Sequence, residues 1–384
     1  MFHVYIIGSK GIPARYGGFE TFVEELTGRK TDPDVMYHVA CLMEAEDPEH
    51  NGAKCYGVRV PEIGSAKAIL YDRRAFLVAC KDIKRHGERS VILCLACRLG
   101  PFFAGLKRRA KRLGVPVYVN PDGHEWLRSK WSPMVRKYWK YSEGRMVKRA
   151  DLCVCDAVEM ERYICEEYAS FHPKTVYLSY GADPAPAISE EAKKRYAGWL
   201  QDQGVKEYGY YLIVARFVPE NNFLVMLSEF TEADTDKALC ILTDYEGKSL
   251  YRELMQETQF DADDRIRFCG TVYDKELLAL IRKGAFAYIH GHEVGGTNPS
   301  LLEAMAATGV NVLLDVAFNR EVGGESCLYF TKEPGNLAVV LDMLELMPEE
   351  DRRKLEAGAK KRIEERYSWD KIVREYEDLW RKVK

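Results

Sequence analysis

The stretch His292–Met305, HEVGGTNPSLLEAM, follows the apolar run AFAYIH (285–290) and sets a glycine pair and a helix start at the end of a strand. Gly295 and Gly296 let backbone approach an anion closely. Thr297 or Asn298 suits a cap, Pro299 suits a first helical turn, and SLLEAMAA continues as helix. Amides and the positive dipole end of such a helix face a phosphate. Glu303, five residues past Asn298, lies within the helix, where its carboxylate suits hydroxyls attached to that phosphate. A nucleotide-sugar has this chemistry. An ordinary strand–turn–helix with a solvated Glu303 is the competing reading.

Strand-like apolar runs alternate with helical stretches on both sides of this segment. VYIIG, YHVACL, VILCLAC, VPVYVN, DLCVC and TVYLSY come first; YYLIVA, ALCILT, RIRFCG, AFAYIH and NVLLD follow. Continuous apolar strands separated by helices predict parallel sheets covered on both faces. The chain has 384 residues, long for one core and sufficient for two. The expected fold class is therefore α/β, with two doubly wound Rossmann-like domains facing across a cleft. Gly181 and the prolines after it mark a linker near 180–205. Ser132-Pro133 predicts a helix start, and Asp156 with Glu159 reads as a capping box.

Charge is uneven. Residues 1–180 hold 29 Lys and Arg against 22 Asp and Glu, and the remainder holds 27 against 37. The excess concentrates between 101 and 149, with 13 basic and 3 acidic residues among Trp126, Trp131, Tyr138, Trp139 and Tyr141. Two readings stand for this segment: a face on anionic headgroups at the inner membrane surface, or a solvated helical face with its aromatics in the core. Nucleic acid is not the expected partner, because the whole chain is mildly acidic and carries no nucleic-acid module. No run reaches the length of a membrane span, and Met1 leads directly into a strand, so a cytoplasmic protein is expected. The eleven cysteines fall mostly in apolar runs and read as buried thiols; no metal site is expected.

Three further segments carry chemistry. GSKGIPARYGGFETFVEEL (8–26) is a long glycine-bearing loop that fails the dinucleotide fingerprint; Gly17 and Gly18 precede its helix. YYLIVA ends in Arg216, placed to hold a diphosphate by paired hydrogen bonds or, alternatively, to bridge Glu220. NPDGHEWLRSKW follows VPVYVN and packs Asp122, His124 and Glu125 into one turn, with His124 the leading catalytic candidate. DADD (261–264) and DPD (32–34) read as surface turns.

In order and spacing these motifs, with RFVPENN and the terminal YSWDKIVREYEDLW, resemble family 4 glycosyltransferases of the GT-B fold. They are most similar to bacterial capsule and cell-wall β-1,4-L-rhamnosyltransferases that carry a distinctive N-terminal domain. The resemblance implies an N-terminal acceptor-binding domain (1–180, with a last helix, 368–384, crossing back onto it) and a C-terminal nucleotide-sugar-binding domain (205–367). It implies retaining, metal-independent transfer of L-rhamnose from dTDP-L-rhamnose to a lipid-diphosphate-linked glucose or N-acetylglucosamine. No cofactor beyond that donor is implied, and the protein would lie on the cytoplasmic face of the membrane. Carried over by position, Arg216 and the amides of Gly296, Thr297 and Asn298 hold the diphosphate, Glu303 the ribose, and Gly17 and Gly18 cover the donor. His124, with Asp122, sits by the transferred sugar, and Asp122, Glu125 and Trp126 meet the acceptor.

Two departures stand out. Gly295 occupies the place of the family's first glutamate, with Glu293 two residues earlier as its substitute in catalysis. Asn221 replaces the lysine that usually joins Arg216 at the donor. A UDP-hexose donor, a sugar-nucleotide epimerase and a non-catalytic GT-B partner subunit are the alternatives.

Overall fold

A computed structural model describes residues 1–14, 17–42, 48–184 and 187–383 of the chain. They form two compact α/β units, residues 1–181 with 369–384, and residues 182–368.

The first unit begins with β1 (Phe2–Ile7), α1 (Gly18–Gly28), β2 (Val35–Leu42), β3 (Glu49–His50), β4 (Ala53–Val58) and α2 (Lys67–His86). It continues with β5 (Ser90–Leu95), α3 (Gly100–Arg112), β6 (Val117–Asn120), α4 (Pro133–Val147), β7 (Leu152–Cys155), α5 (Val158–Glu167) and β8 (Thr175–Tyr177). The sheet order is β3-β4-β2-β1-β5-β6-β7-β8, parallel except where β3 meets β4. Every residue of β5 is buried, as expected for a strand covered on both faces.

The second unit runs α6 (Glu190–Asp202), β9 (Tyr210–Val214), α7 (Phe223–Glu232), β10 (Ala238–Leu242), α8 (Ser249–Thr258), β11 (Ile266–Phe268) and α9 (Lys275–Lys283). Then come β12 (Ala287–His290), α10 (Pro299–Ala307), β13 (Asn311–Leu314), α11 (Ala317–Gly323), β14 (Leu328–Phe330), α12 (Asn336–Glu345) and α13 (Glu349–Arg362). Its sheet is wholly parallel, in the order β11-β10-β9-β12-β13-β14. In each sheet the order reverses beside the unit's first strand, at β1/β5 and at β9/β12. Ligands in open parallel sheets bind outside the carboxyl ends of strands at such a reversal.

Local structure departs from expectation in two places. Residues 190–202, inside the expected linker, form α6, capped by Ser189, whose side chain accepts the Ala192 amide. Ala157, not Asp156, holds the N-cap position of α5, and Asp156 is buried in the strand-to-helix turn one residue before it. Ser132 does cap α4, accepting the Val135 amide.

The last helix, α14 (Trp369–Arg381), is part of the first unit. Trp380 is buried and donates to Tyr37 Oη at 3.0 Å. Glu377, also buried, accepts the backbone amides of Thr31 (2.7 Å) and Asp32 (2.9 Å) and the Thr31 hydroxyl (2.6 Å). One carboxylate thus satisfies three donors in the turn between α1 and β2. Replacing Glu377 by Ala strands those donors, and urea denaturation should show a loss of about 3 kcal/mol or more; a loss below about 1 kcal/mol would contradict this role.

Candidate functional site

The carboxyl ends of β9 and β12 carry the loops 215–222 and 291–298. Arg216, just past β9, is exposed and forms no ion pair among the described residues, Glu220 included. Ser300, in the first turn of α10, donates to the carbonyl of Val214 at 3.0 Å, which fixes that helix end above β9. The Asn298 side chain caps α10 by accepting the Ser300 amide at 2.9 Å, and Pro299 occupies the first turn. Gly295 has φ 155°, a conformation that disfavours a side chain, and an added Cβ would lie 3.0 Å from His292 Nε2. Gly296 follows half-buried, and Thr297 is buried beneath the helix start. The structure therefore gathers Arg216, Gly295, Gly296, Thr297 and Asn298 at one sheet reversal.

The two loops are bolted together by the PENN segment. Asn221, offered by the sequence as a donor contact, is buried and turned inward. Its Nδ2 donates to the Arg216 carbonyl (2.6 Å), and its Oδ1 pairs with His292 Nδ1 (2.7 Å). Because the amide orientation leaves only Oδ1 facing the imidazole, Nδ1 must carry the proton. Asn222 donates to the Gly291 carbonyl (2.8 Å) and to Glu293 Oε2 (2.7 Å), and the Glu293 amide donates to the Glu220 carbonyl (3.2 Å). A Cβ on Gly291 would strike the Asn221 carbonyl at 2.4 Å, so this close approach needs glycine.

Glu293 also pairs with Lys332 Nζ at 2.7 Å, so its carboxylate is engaged within the protein. Glu303, half-exposed on α10, pairs through Oε2 with Arg282 Nη2 at 2.7 Å. The motif reading missed two groups here. His292 stood beside the noted Glu293, and its ring abuts the glycine loop. Arg282 is a buried cation in α9 with no local sequence signal.

In the first unit the reversal lies at β1/β5. The loop after β1 turns on Gly8 (φ 107°), where a Cβ would meet the Leu95 carbonyl at 2.2 Å. Two glutamates of α1 hold this loop: Glu20 accepts the Lys10 amide (3.0 Å) and Glu24 the Ala14 amide (2.9 Å). Gly17 is the N-cap of α1 (φ 137°) and Gly18 its first residue. Arg98, after β5, donates to the Gly8 carbonyl (3.0 Å) and pairs with buried Asp72 (2.9 Å), a bracing pair with no motif to announce it.

After β6 the chain turns sharply, with Asp122 at φ 61° and His124 at φ 34°. Asp122 is half-buried, and burial raises its carboxyl pKa while Arg128 opposes the rise. Glu125 is buried and paired with Arg128 (2.6 Å), and it accepts Trp131 Nε1 (2.8 Å). Its carboxylate, expected at an acceptor, closes this turn instead. The His124 ring meets Tyr163 edge-on at 4.3 Å and Trp126 at 5.8 Å. Lys140 Nζ lies 4.4 Å from the Trp126 ring centre and 4.9 Å from that of Tyr163, and it bonds Tyr163 Oη at 2.6 Å. Burial first, then the Lys140 charge, lower the His124 pKa to about 4. His124 is consequently neutral at physiological pH.

Residues 1–183 match a family model described as "Domain of unknown function (DUF1972)". No curated protein matches the chain in sequence. Among solved structures, sucrose-phosphate synthase from Thermosynechococcus elongatus is similar at TM-score 0.79 and 14% identity, over 100% of this chain and 99% of that one. A glycosyltransferase from Rickettsia africae gives 0.74 and 12%, over 100% and 98%. Anabaena HepE, solved with UDP-glucose, gives 0.69 and 12%, over 99% of each chain. The chain has the GT-B fold, with two parallel-sheet domains.

Two outcomes test this geometry. Asn221→Ala removes both inward hydrogen bonds and should cost about 1–3 kcal/mol, read by chemical denaturation; no change would mean the loops are held otherwise. Burial lowers His38 and His124 to about 4 and His290 to about 3, from 6.5. With folded values below the unfolded one, their contribution is complete above pH 6.5 and is lost as pH falls toward those values. Histidine ring NMR should show these three failing to titrate between about pH 7 and 5, and stability falling across that range.

Proposed function

We propose that the chain is a glycosyltransferase that moves a sugar from a nucleoside-diphosphate donor onto a hydroxyl acceptor. The observation that carries the reading is the β9/β12 reversal, where an exposed, unbridged Arg216 accompanies a glycine loop and the N-terminus of α10. That combination suits a diphosphate: a guanidinium for two-pronged hydrogen bonds, glycine backbone for close approach, and a helix dipole for the charge. Glu303 would accept a ribose hydroxyl through Oε1, its Oε2 being held by Arg282. HepE, solved with UDP-glucose, supports a nucleotide-sugar ligand by its fold alone.

In more detail, the donor is dTDP-L-rhamnose and the acceptor a lipid-diphosphate-linked glucose or N-acetylglucosamine at the cytoplasmic face of the membrane. The motif resemblance supports this finer reading. A UDP-hexose donor is the second reading, favoured by the UDP-glucose bound in HepE. The bond from the anomeric carbon to the diphosphate oxygen breaks as the acceptor oxygen bonds that carbon on the same face. The acceptor proton passes to the departing phosphate oxygen. No protein nucleophile and no metal take part, so Arg216 and the α10 amides carry the leaving-group charge. In the first unit, neutral His124 and Asp122 would bind sugar hydroxyls, and Trp126 would offer an apolar ring face.

Purified protein should release nucleoside diphosphate and add one sugar mass to a short-chain lipid-diphosphate glycoside. dTDP-L-rhamnose and UDP-glucose run in parallel decide the donor. Arg216→Ala should lower transfer about a hundredfold with thermal stability unchanged, since the side chain is exposed. Near-normal turnover would remove Arg216 from the donor site.

A further inference from the structure

The first unit carries a separate groove, of about 810 Å³, between α2 and α3. Arg73, Lys84, Arg108, Arg109 and Arg112 line it, and no carboxylate does. Its floor is apolar, with Leu77, Leu106 and Leu113. The two helices together hold eleven Lys and Arg and two Asp. Both aspartates are spoken for, Asp72 by Arg98 at 2.9 Å and Asp82 by the Tyr5 hydroxyl at 2.6 Å. Lys67 and Lys107 pair with Glu62 and Asp151. The other nine cations form no ion pair among the described residues.

Nine like charges on two neighbouring helices repel one another, and burying apolar surface gives no reason to leave them unpaired. A polyanionic or interfacial ligand does. The groove is amphipathic: Phe102, which lines it, is 44% exposed, and the Arg73 guanidinium lies 5.2 Å from the Phe102 ring centre. Guanidiniums over an apolar floor, edged by an exposed aromatic, match a phosphate headgroup with its acyl chains better than a nucleic acid, whose bases need stacking platforms. The aromatics that marked the basic segment are largely turned elsewhere. Trp126 faces His124, and Tyr138 donates to the Arg98 carbonyl at 2.6 Å. Four of the eleven lining residues, Arg73, Leu77, Cys80 and Lys84, come from α2, outside that segment.

We propose that the α2–α3 groove binds the phosphate headgroup of an anionic phospholipid and seats the first unit on a membrane surface. This deepens the membrane part of the proposed function and uses none of its transfer chemistry. The test is sedimentation of the full chain with vesicles, without donor or acceptor. Pure phosphatidylcholine should leave the protein in solution, and vesicles with about one third phosphatidylglycerol should bind it, less so as salt rises. Each removed cation should weaken partition roughly fivefold, so Arg108→Gln, Arg109→Gln and Arg112→Gln together should lower it on the order of a hundredfold at unchanged melting temperature. A control triple on exposed cations of the second unit, Lys194→Gln, Lys206→Gln and Arg252→Gln, should bind as wild type. Equal loss in the control overturns the proposal. So does binding to single-stranded RNA without vesicle binding, or binding of free glycerol phosphate that vesicles do not match. Transfer to a soluble acceptor with no vesicle binding would sink this inference alone; vesicle binding with no transfer would sink only the enzymatic reading.

Discussion

The second unit's site depends on the hydrogen bonds that join the loop after β9 to the loop after β12. Both loops leave paired strands, β9 and β12, where the sheet order reverses, and the ladder ends before the loops begin. Asn221 and Asn222 supply the constraint between them, reaching the Arg216 carbonyl, His292, the Gly291 carbonyl and Glu293. Each bond is modest in isolation, but the groups are buried or half-buried, and leaving them unmade costs more than making them returns. With the loops fixed, the Arg216 backbone and the loop that leads into α10 are held together by Asn221 and Asn222.

The first unit spends its buried charge differently. Asp72–Arg98 ties α2 to the loops after β1 and β5, and Glu125–Arg128 closes the turn after β6. Glu143, buried on α4, accepts the hydroxyls of Tyr163 and Tyr168 at 2.5 Å each. Burial, with the Lys140 charge beside it, keeps the His124 imidazole uncharged. A neutral imidazole exchanges hydrogen bonds with sugar hydroxyls in either direction, whereas an imidazolium only donates.

The period and composition of the strands made both parallel sheets legible, because strands buried on both faces must read as unbroken apolar runs. The loop at 292–298 was legible for a similar reason, since glycine, asparagine and proline at a helix start have few other uses. Side-chain direction was not. Asn221 and Glu125 are polar residues in the right loops, yet one is turned into the protein and the other neutralised three residues on. Neither outcome is encoded locally, because each partner is fixed by tertiary packing. The helix at 190–202 was hidden by the prolines before it, and Ser189 as its cap was the available signal. The α2–α3 groove escaped because its cations lie on two helices separated in sequence by β5.

The two departures from the family pattern, Gly295 and Asn221, have one structural account. At φ 155° and with His292 Nε2 3.0 Å from an added Cβ, position 295 disfavours a side chain unless His292 shifts. His292 fills that space because Asn221 Oδ1 holds its Nδ1–H. A lysine at 221 would present only donors to the imidazole and to the Arg216 carbonyl, and could satisfy just one of them. Asparagine, with an acceptor and a donor on one short stem, satisfies both. Gly295 and Asn221 are thus linked through one side chain, His292, which packs beside the glycine and is held by the asparagine.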